Sequence, residues 1–127
     1  MKTILVTVMI LMLSGCSLFF IPVFDSKEYD TLIEIAASSS RGTCTTEETA
    51  HLARLTNYLR YYTEYLPHND RIHLGVMELQ HTVDSLHAQT LRESLDLPIT
   101  PTYCALRLRV IHRMATTLAF AAGSKAS

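Results

Sequence analysis

The sequence predicts an all-α protein, a small up-down-up-down four-helix bundle. Three observations predict it. Apolar residues recur at spacings of three and four in four separate stretches. Each stretch is preceded by a capping residue or opens on proline. The breaks between stretches are short, so consecutive helices turn back on one another. The composition agrees: 48% hydrophobic residues with only four Gly and four Pro in 127 is too apolar for a disordered chain. Eleven basic against twelve acidic side chains offer no clustered positive surface for nucleic acid.

The first helix is expected over 26–38. Asp25 followed by Glu28 is a capping-box start, and Tyr29, Leu32, Ile33 and Ala36 then share one face. Residues 38–43, with Arg41-Gly42 inside, end it. Thr45 and Glu48 repeat the capping pattern before a second helix over 46–66, whose seam is Leu52, Leu55, Leu59, Tyr62 and Leu66. Pro67-His68-Asn69-Asp70 breaks that helix and offers a new N-cap. The third helix, over 71–92, carries Ile72, Val76, Leu79, Val83 and Leu86. Leu97-Pro98-Ile99-Thr100-Pro101 is a stop and a restart, with Thr100 as cap and Pro101 in a first turn that needs no N–H. The fourth helix, over 101–122, is expected to turn Tyr103, Leu106, Val110, Met114, Leu118 and Ala121 inward. Gly123 then serves as a left-handed C-cap, and 124–127 is a frayed tail. The bundle thus spans 26–123.

Ahead of it, Lys2 precedes an apolar run over 4–13, followed by Ser14, Gly15 and Cys16: a charged start, a short apolar core and small residues at a cleavage site. The segment Leu13-Ser14-Gly15-Cys16 resembles the lipobox of bacterial lipoproteins. That resemblance implies a signal peptide over 1–15, removed on maturation, and a diacylglyceryl and palmitate-bearing Cys16 followed by an apolar tether over 16–25. It also implies sorting by the next residue. Ser17 in place of Asp favours the outer membrane over the inner. The competing reading is an uncleaved anchor, since the run over 3–24 is long enough to span a bilayer. Pro22, the Ser14-Gly15 interruption and the lack of a basic cluster after Phe24 speak against it.

Export changes the meaning of the remaining thiols. In an oxidising periplasm Cys44 and Cys104 are an even pair and read as one disulfide. In an up-down-up-down bundle the starts of helices two and four lie at one end, so the bridge is geometrically allowed. Helix one is acidic through Asp25, Glu28, Asp30 and Glu34. After Asp96 the chain carries only basic charge, through Arg107, Arg109, Arg113 and Lys125, so these neighbouring helices are complementary. The three arginines also invite contact with lipid phosphates, because helix four ends at the tethered pole.

Two stripes stand out. Tyr58, Tyr61 and Tyr65, with His51 and Arg54 before them, flank the leucine seam of helix two. Tyr and Arg are frequent interface anchors, because each joins a large apolar area to a polar tip. The alternative is that the tyrosines only widen the buried arc. On helix three, His73, Met77 and His81, continued by Asp84 and His87, suggest a copper-type metal stripe, although i to i+8 drifts about 80° around a helix. The alternative there is a solvated face that happens to hold histidines.

No Gly-rich phosphate loop, nucleophile elbow or His-Glu-x-x-His signature is present, so neither an enzyme nor a cofactor is expected. The leading expectation is a lipid-anchored, non-enzymatic protein-interaction lipoprotein facing the periplasm. It is similar in shape to helical pilotins of secretion systems and to small exclusion lipoproteins of phages and plasmids, a likeness of fold alone. A periplasmic metal or small-ligand binder using the His73 stripe is the alternative.

Overall fold

Side-chain caps set where the helices begin. In the computed structural model, which describes residues 23–93 and 98–125, Asp25 accepts from the Glu28 amide at 2.9 Å and starts α1, Ser26–Arg41. Thr45 accepts from the Glu48 amide at 3.2 Å and starts α2, Thr46–Glu64. The Glu48 carboxylate reaches back to the backbone N–H and hydroxyl of Thr43, and these bonds hold it below the usual carboxylate range. α3 spans Asp70–Glu93. α4 spans Pro101–Ser124, with Thr100 accepting from the Tyr103 amide at 3.2 Å. The four expected helices are all present. The expected signal peptide and Cys16 lie outside the described residues.

Each helix packs on its two sequence neighbours and α1 closes the square against α4, so the bundle is up-down-up-down. One pole gathers Val23, the α2–α3 turn and Lys125, and is called the tether pole below. The other, the bridge pole, holds Cys44 and Cys104, whose sulfurs are 2.13 Å apart and whose sequence separation is 60. Closing a loop of that length contributes on the order of 4 kcal/mol by chain entropy.

Leu32 and Ile35 of α1, Leu52 and Leu59 of α2, Val76, Leu79, Val83 and Leu86 of α3, and Leu108 and Ile111 of α4 form the core. The two longest seams around it differ in kind. Between α2 and α3, Thr49, Thr56 and Thr63 recur every seventh residue and are buried. Their hydroxyls bond to carbonyls one turn back, as Thr56 Oγ1 does to Leu52 O at 3.0 Å. Thr63 Oγ1 also meets His73 Nδ1 at 3.0 Å, and Thr49 Oγ1 meets both His87 Nδ1 and Thr90 Oγ1 at 3.0 Å. Midway, Gln80 Nε2 donates to Asn57 Oδ1 at 3.0 Å.

Between α1 and α4 the contact is made by small residues. Ala115, Ala119 and Ala122 line the inner face of α4. A Cβ on Gly123 would come within 3.2 Å of the Tyr29 ring. His112 donates from Nδ1 to Ala36 O at 2.8 Å.

Several expectations are corrected here. The inward face of α4 is Leu108, Ile111, Ala115, Ala119 and Ala122, whereas Leu106, Val110 and Ala121 are exposed and Tyr103, Met114 and Leu118 only flank the core. The helix is apolar nearly all round, so side-chain size misplaced its phase; a close helix pair selects alanine instead. On α1, Ile35 is buried and Ile33 is not. Gly123 lies within α4 and does not adopt positive φ. The end expected to fray from residue 124 is instead held through Lys125. Its ammonium lies 2.9 Å from the fully buried carboxylate of Glu28. Asn69, in the segment expected to break the chain and cap α3, donates its side-chain amide to Glu28 and accepts from Lys125. The positive φ of 55° at His68 turns the chain so that Asn69 points into this cluster.

Candidate functional site

Leu52, Leu59 and the three threonines fill the inner face of α2, so the tyrosines two and three positions away have no room inside. Tyr58, Tyr61 and Tyr65 are 43%, 53% and 83% exposed, and Arg54 precedes them on the same outer face. The alternative in which these rings widen the core therefore does not hold.

Two of the three rings, Tyr58 and Tyr61, are exposed but not loose. Tyr58 stacks on Tyr62 with centroids 5.8 Å apart and planes 18° from parallel. Lys27 lies over Tyr58 at 5.8 Å, and the Arg60 guanidinium over Tyr61 at 5.6 Å. Tyr62 is itself fixed: its hydroxyl donates to the Asp25 carboxylate, 3.0 and 2.9 Å from the two oxygens. That hydrogen bond and partial burial raise the Tyr62 pKa above the ordinary phenol value. Asp25 thus caps α1 and, through Tyr62, sets the angle of the tyrosine ladder. Toward the bridge pole the face continues into an open cleft of about 670 Å³ lined by Arg41, Glu47, His51 and Arg54.

Comparisons with protein families, with curated proteins and with solved structures found no match. The residues themselves must therefore carry the functional argument.

The metal stripe is pulled apart by the fold. His73 faces α2 and is occupied by Thr63, and His87 by Thr49. Met77 and His81 lie on the outer side of α3, in a shallow groove with Leu74, Glu78, Thr82 and Met114. Among the described residues no three His, Cys, Asp or Glu groups lie close enough to hold a metal ion. Seven-residue spacing relates His73, Gln80 and His87, and that is the signal that would have assigned them to a helix seam.

The arginines of α4 are also misplaced for lipid contact at the tether pole. Arg107 is near the start of the helix, donating to Thr82 O at 3.4 Å with its guanidinium 6.0 Å from the Tyr103 ring. Arg109 and Arg113 are exposed in the first half of α4 and midway along it. The charge complementarity expected between α1 and α4 reduces, among the described residues, to the Glu28–Lys125 pair. Asn69 completes that buried triangle from a third element, 41 residues from Glu28. Sequence reading missed it because a glutamate three residues past an N-cap normally reads as half of a capping box.

Proposed function

We propose that this chain is a lipid-anchored, non-enzymatic adaptor of the bacterial cell envelope. In this reading it is tethered through Cys16, faces the periplasm from the outer membrane and binds a protein partner through Tyr58, Tyr61, Tyr65 and Arg54. The observation that carries the reading is a row of exposed aromatic rings of which two, Tyr58 and Tyr61, are already held by stacking and cations. Little side-chain freedom remains to be lost on binding, which is what distinguishes an anchor from a stray surface aromatic. Cys44 and Cys104 at disulfide distance support an oxidising compartment. The Leu13-Ser14-Gly15-Cys16 segment supports the anchor. Among the described residues, no helix is long and apolar enough to cross a membrane.

Two measurements test it. Cys16→Ser should abolish palmitate labelling, because only a thiol forms the thioether; labelling at the unsubstituted level ends the anchor assignment. For the partner site, photo-crosslinking from position 61 in cells identifies the partner, and Tyr61→Ser with Tyr65→Ser is then compared with the parent. The pair should leave the melting transition within about 1 kcal/mol of the parent while costing about 2 kcal/mol or more of affinity, a loss of thirtyfold or so. A sharp fall in stability, or unchanged affinity, removes these residues from the site.

A further inference from the structure

Exposed apolar side chains are not spread evenly over this bundle. Among the described residues, the four most exposed large apolar side chains are Tyr65 at 83%, Phe120 at 81%, Val23 at 70% and Leu74 at 62%. All four lie at the tether pole. Val23 leads into α1, Tyr65 caps the end of α2, Leu74 stands in the second turn of α3 and Phe120 near the end of α4. Phe24, also exposed, sits beside Val23 with its ring 5.9 Å from that of Tyr29. Each of the four helices thus has one such side chain in it or within three residues of its end at this pole, and together they form an apolar ring there. At the bridge pole the exposed large apolar side chains are fewer and less exposed, Leu91 at 50% and Leu106 at 52%, and stand among Arg41, Glu47, Arg92 and Thr102.

We propose that this ring is a bilayer-contact surface, on which the bundle stands with the tether pole against the lipid interface. The inference rests on the reading of Cys16 as the lipidated residue, and the length of the intervening chain supports it. Val23 follows Cys16 by seven positions, a span that reaches about 25 Å when fully extended. α4, with 24 residues, is about 36 Å long. The anchor therefore keeps the tether pole near the bilayer. A ring of apolar groups facing water at that distance would lose its hydration on contact, and Phe and Tyr suit the region between headgroups and acyl chains.

Headgroup charge is not the attraction. Lys125 is taken up by Glu28. Lys27 and Arg71 are offset at the same pole by Asp25, Asp30, Glu64 and Asp70. The contact is apolar and should depend little on salt. Standing upright, the bundle holds Tyr58 and Tyr61 to the side and the cleft at Arg54 away from the membrane, with Tyr65 at the edge where the partner face meets the lipid interface.

The chain contains no tryptophan, so one introduced indole reports its own position. Full-length protein carrying Phe120→Trp, Leu74→Trp or, toward the bridge pole, Leu106→Trp is purified from membranes. It is then reconstituted with phosphatidylethanolamine and phosphatidylglycerol vesicles whose acyl chains are brominated. Flotation and palmitate labelling report the tether; blue shift and bromine quenching report the pole. The expected result is flotation with strong quenching at 120 and 74, a shift to shorter wavelength there, and neither at 106. Flotation with the same weak quenching at all three positions overturns the contact and leaves the tether standing, with a protein partner as the occupant of the ring. Unlabelled protein that floats with quenched 120 and 74 supports the contact and removes the lipid anchor. Protein that does not float overturns both.

Discussion

The α2–α3 seam and the α1–α4 seam are both buried and both long, yet they are held by opposite means. The first is a polar ladder in which Thr49 meets His87, Thr63 meets His73 and Asn57 meets Gln80, each at 3.0 Å. The second is alanine and glycine packed close, with a single ionic cluster at its end. A ladder fixes register, since a shift by one turn leaves the His73 and His87 imidazoles and the Gln80 amide without their partners. Small residues fix distance and leave register to the cluster and to the His112–Ala36 bond. The comparison teaches that the two halves of this bundle should fail differently when perturbed.

The largest effect is expected at the ionic cluster. Lys125→Met leaves the Glu28 carboxylate fully buried without its cation, and such a loss typically costs about 3–5 kcal/mol in a denaturant melt. Adding Glu28→Met should recover most of it, because replacing both partners by apolar groups removes the uncompensated charge. If the single variant is no less stable than the parent, the cluster does not hold the seam.

Ala119→Leu should come next, at about 1–3 kcal/mol, since extra methylenes in a seam of small residues force the helices apart. The ladder should be more forgiving. Thr63→Val strands His73 Nδ1, but His73 is half-buried and water can replace the hydroxyl, so about 1 kcal/mol is expected. His73→Leu in the same chain should return part of that loss, and a double-mutant cycle measures the coupling. Additive effects at the two sites would show that the hydrogen bond contributes nothing.

The smallest effect is a dependence on alkaline pH. Tyr62 donates to Asp25 and its folded pKa is raised, so its contribution is fully present below the ordinary phenol value of about 10. It is lost as pH rises through the folded value. Tyr62→Phe should abolish this alkaline component of the melting profile. A profile that falls equally in both proteins above that pH would assign it elsewhere.

The sequence made some of these features legible and hid others for physical reasons. Caps act locally, so Asp25, Thr45 and Thr100 could be read three residues at a time, and the starts of α1, α2 and α4 followed from them. The core of α3 was legible because Leu and Val there alternate with strongly polar neighbours, whereas on α2 only Leu52 and Leu59 of the expected seam are buried and Leu55, Tyr62 and Leu66 are half-buried, since threonines fill the rest of the inner face. α4 was not, since Leu106, Val110 and Phe120 are as apolar as its true inner face. The tyrosine ladder was visible as a stripe, but its exposure depended on threonines filling the inside of α2. The Glu28–Asn69–Lys125 cluster joins residues up to 97 positions apart, and no local pattern announces it.

The bridge between Cys44 and Cys104 lies at the end of the molecule opposite the chain's entry. Consider a pull applied between the chain ahead of Val23 and the chain beyond Cys104. Tension would enter at Val23, run along α1 to Cys44, cross the sulfur–sulfur bond and leave through α4. α2 and α3 lie within the loop that the bond closes and would carry none of the load. Stretching could therefore peel α1 and α4 away while α2, with Tyr58 and Tyr61, stayed on its threonine and histidine ladder against α3. The oxidised molecule is thus divided mechanically into an extensible strap and a sheltered pair of helices, and reduction alone would expose the whole chain to the pull.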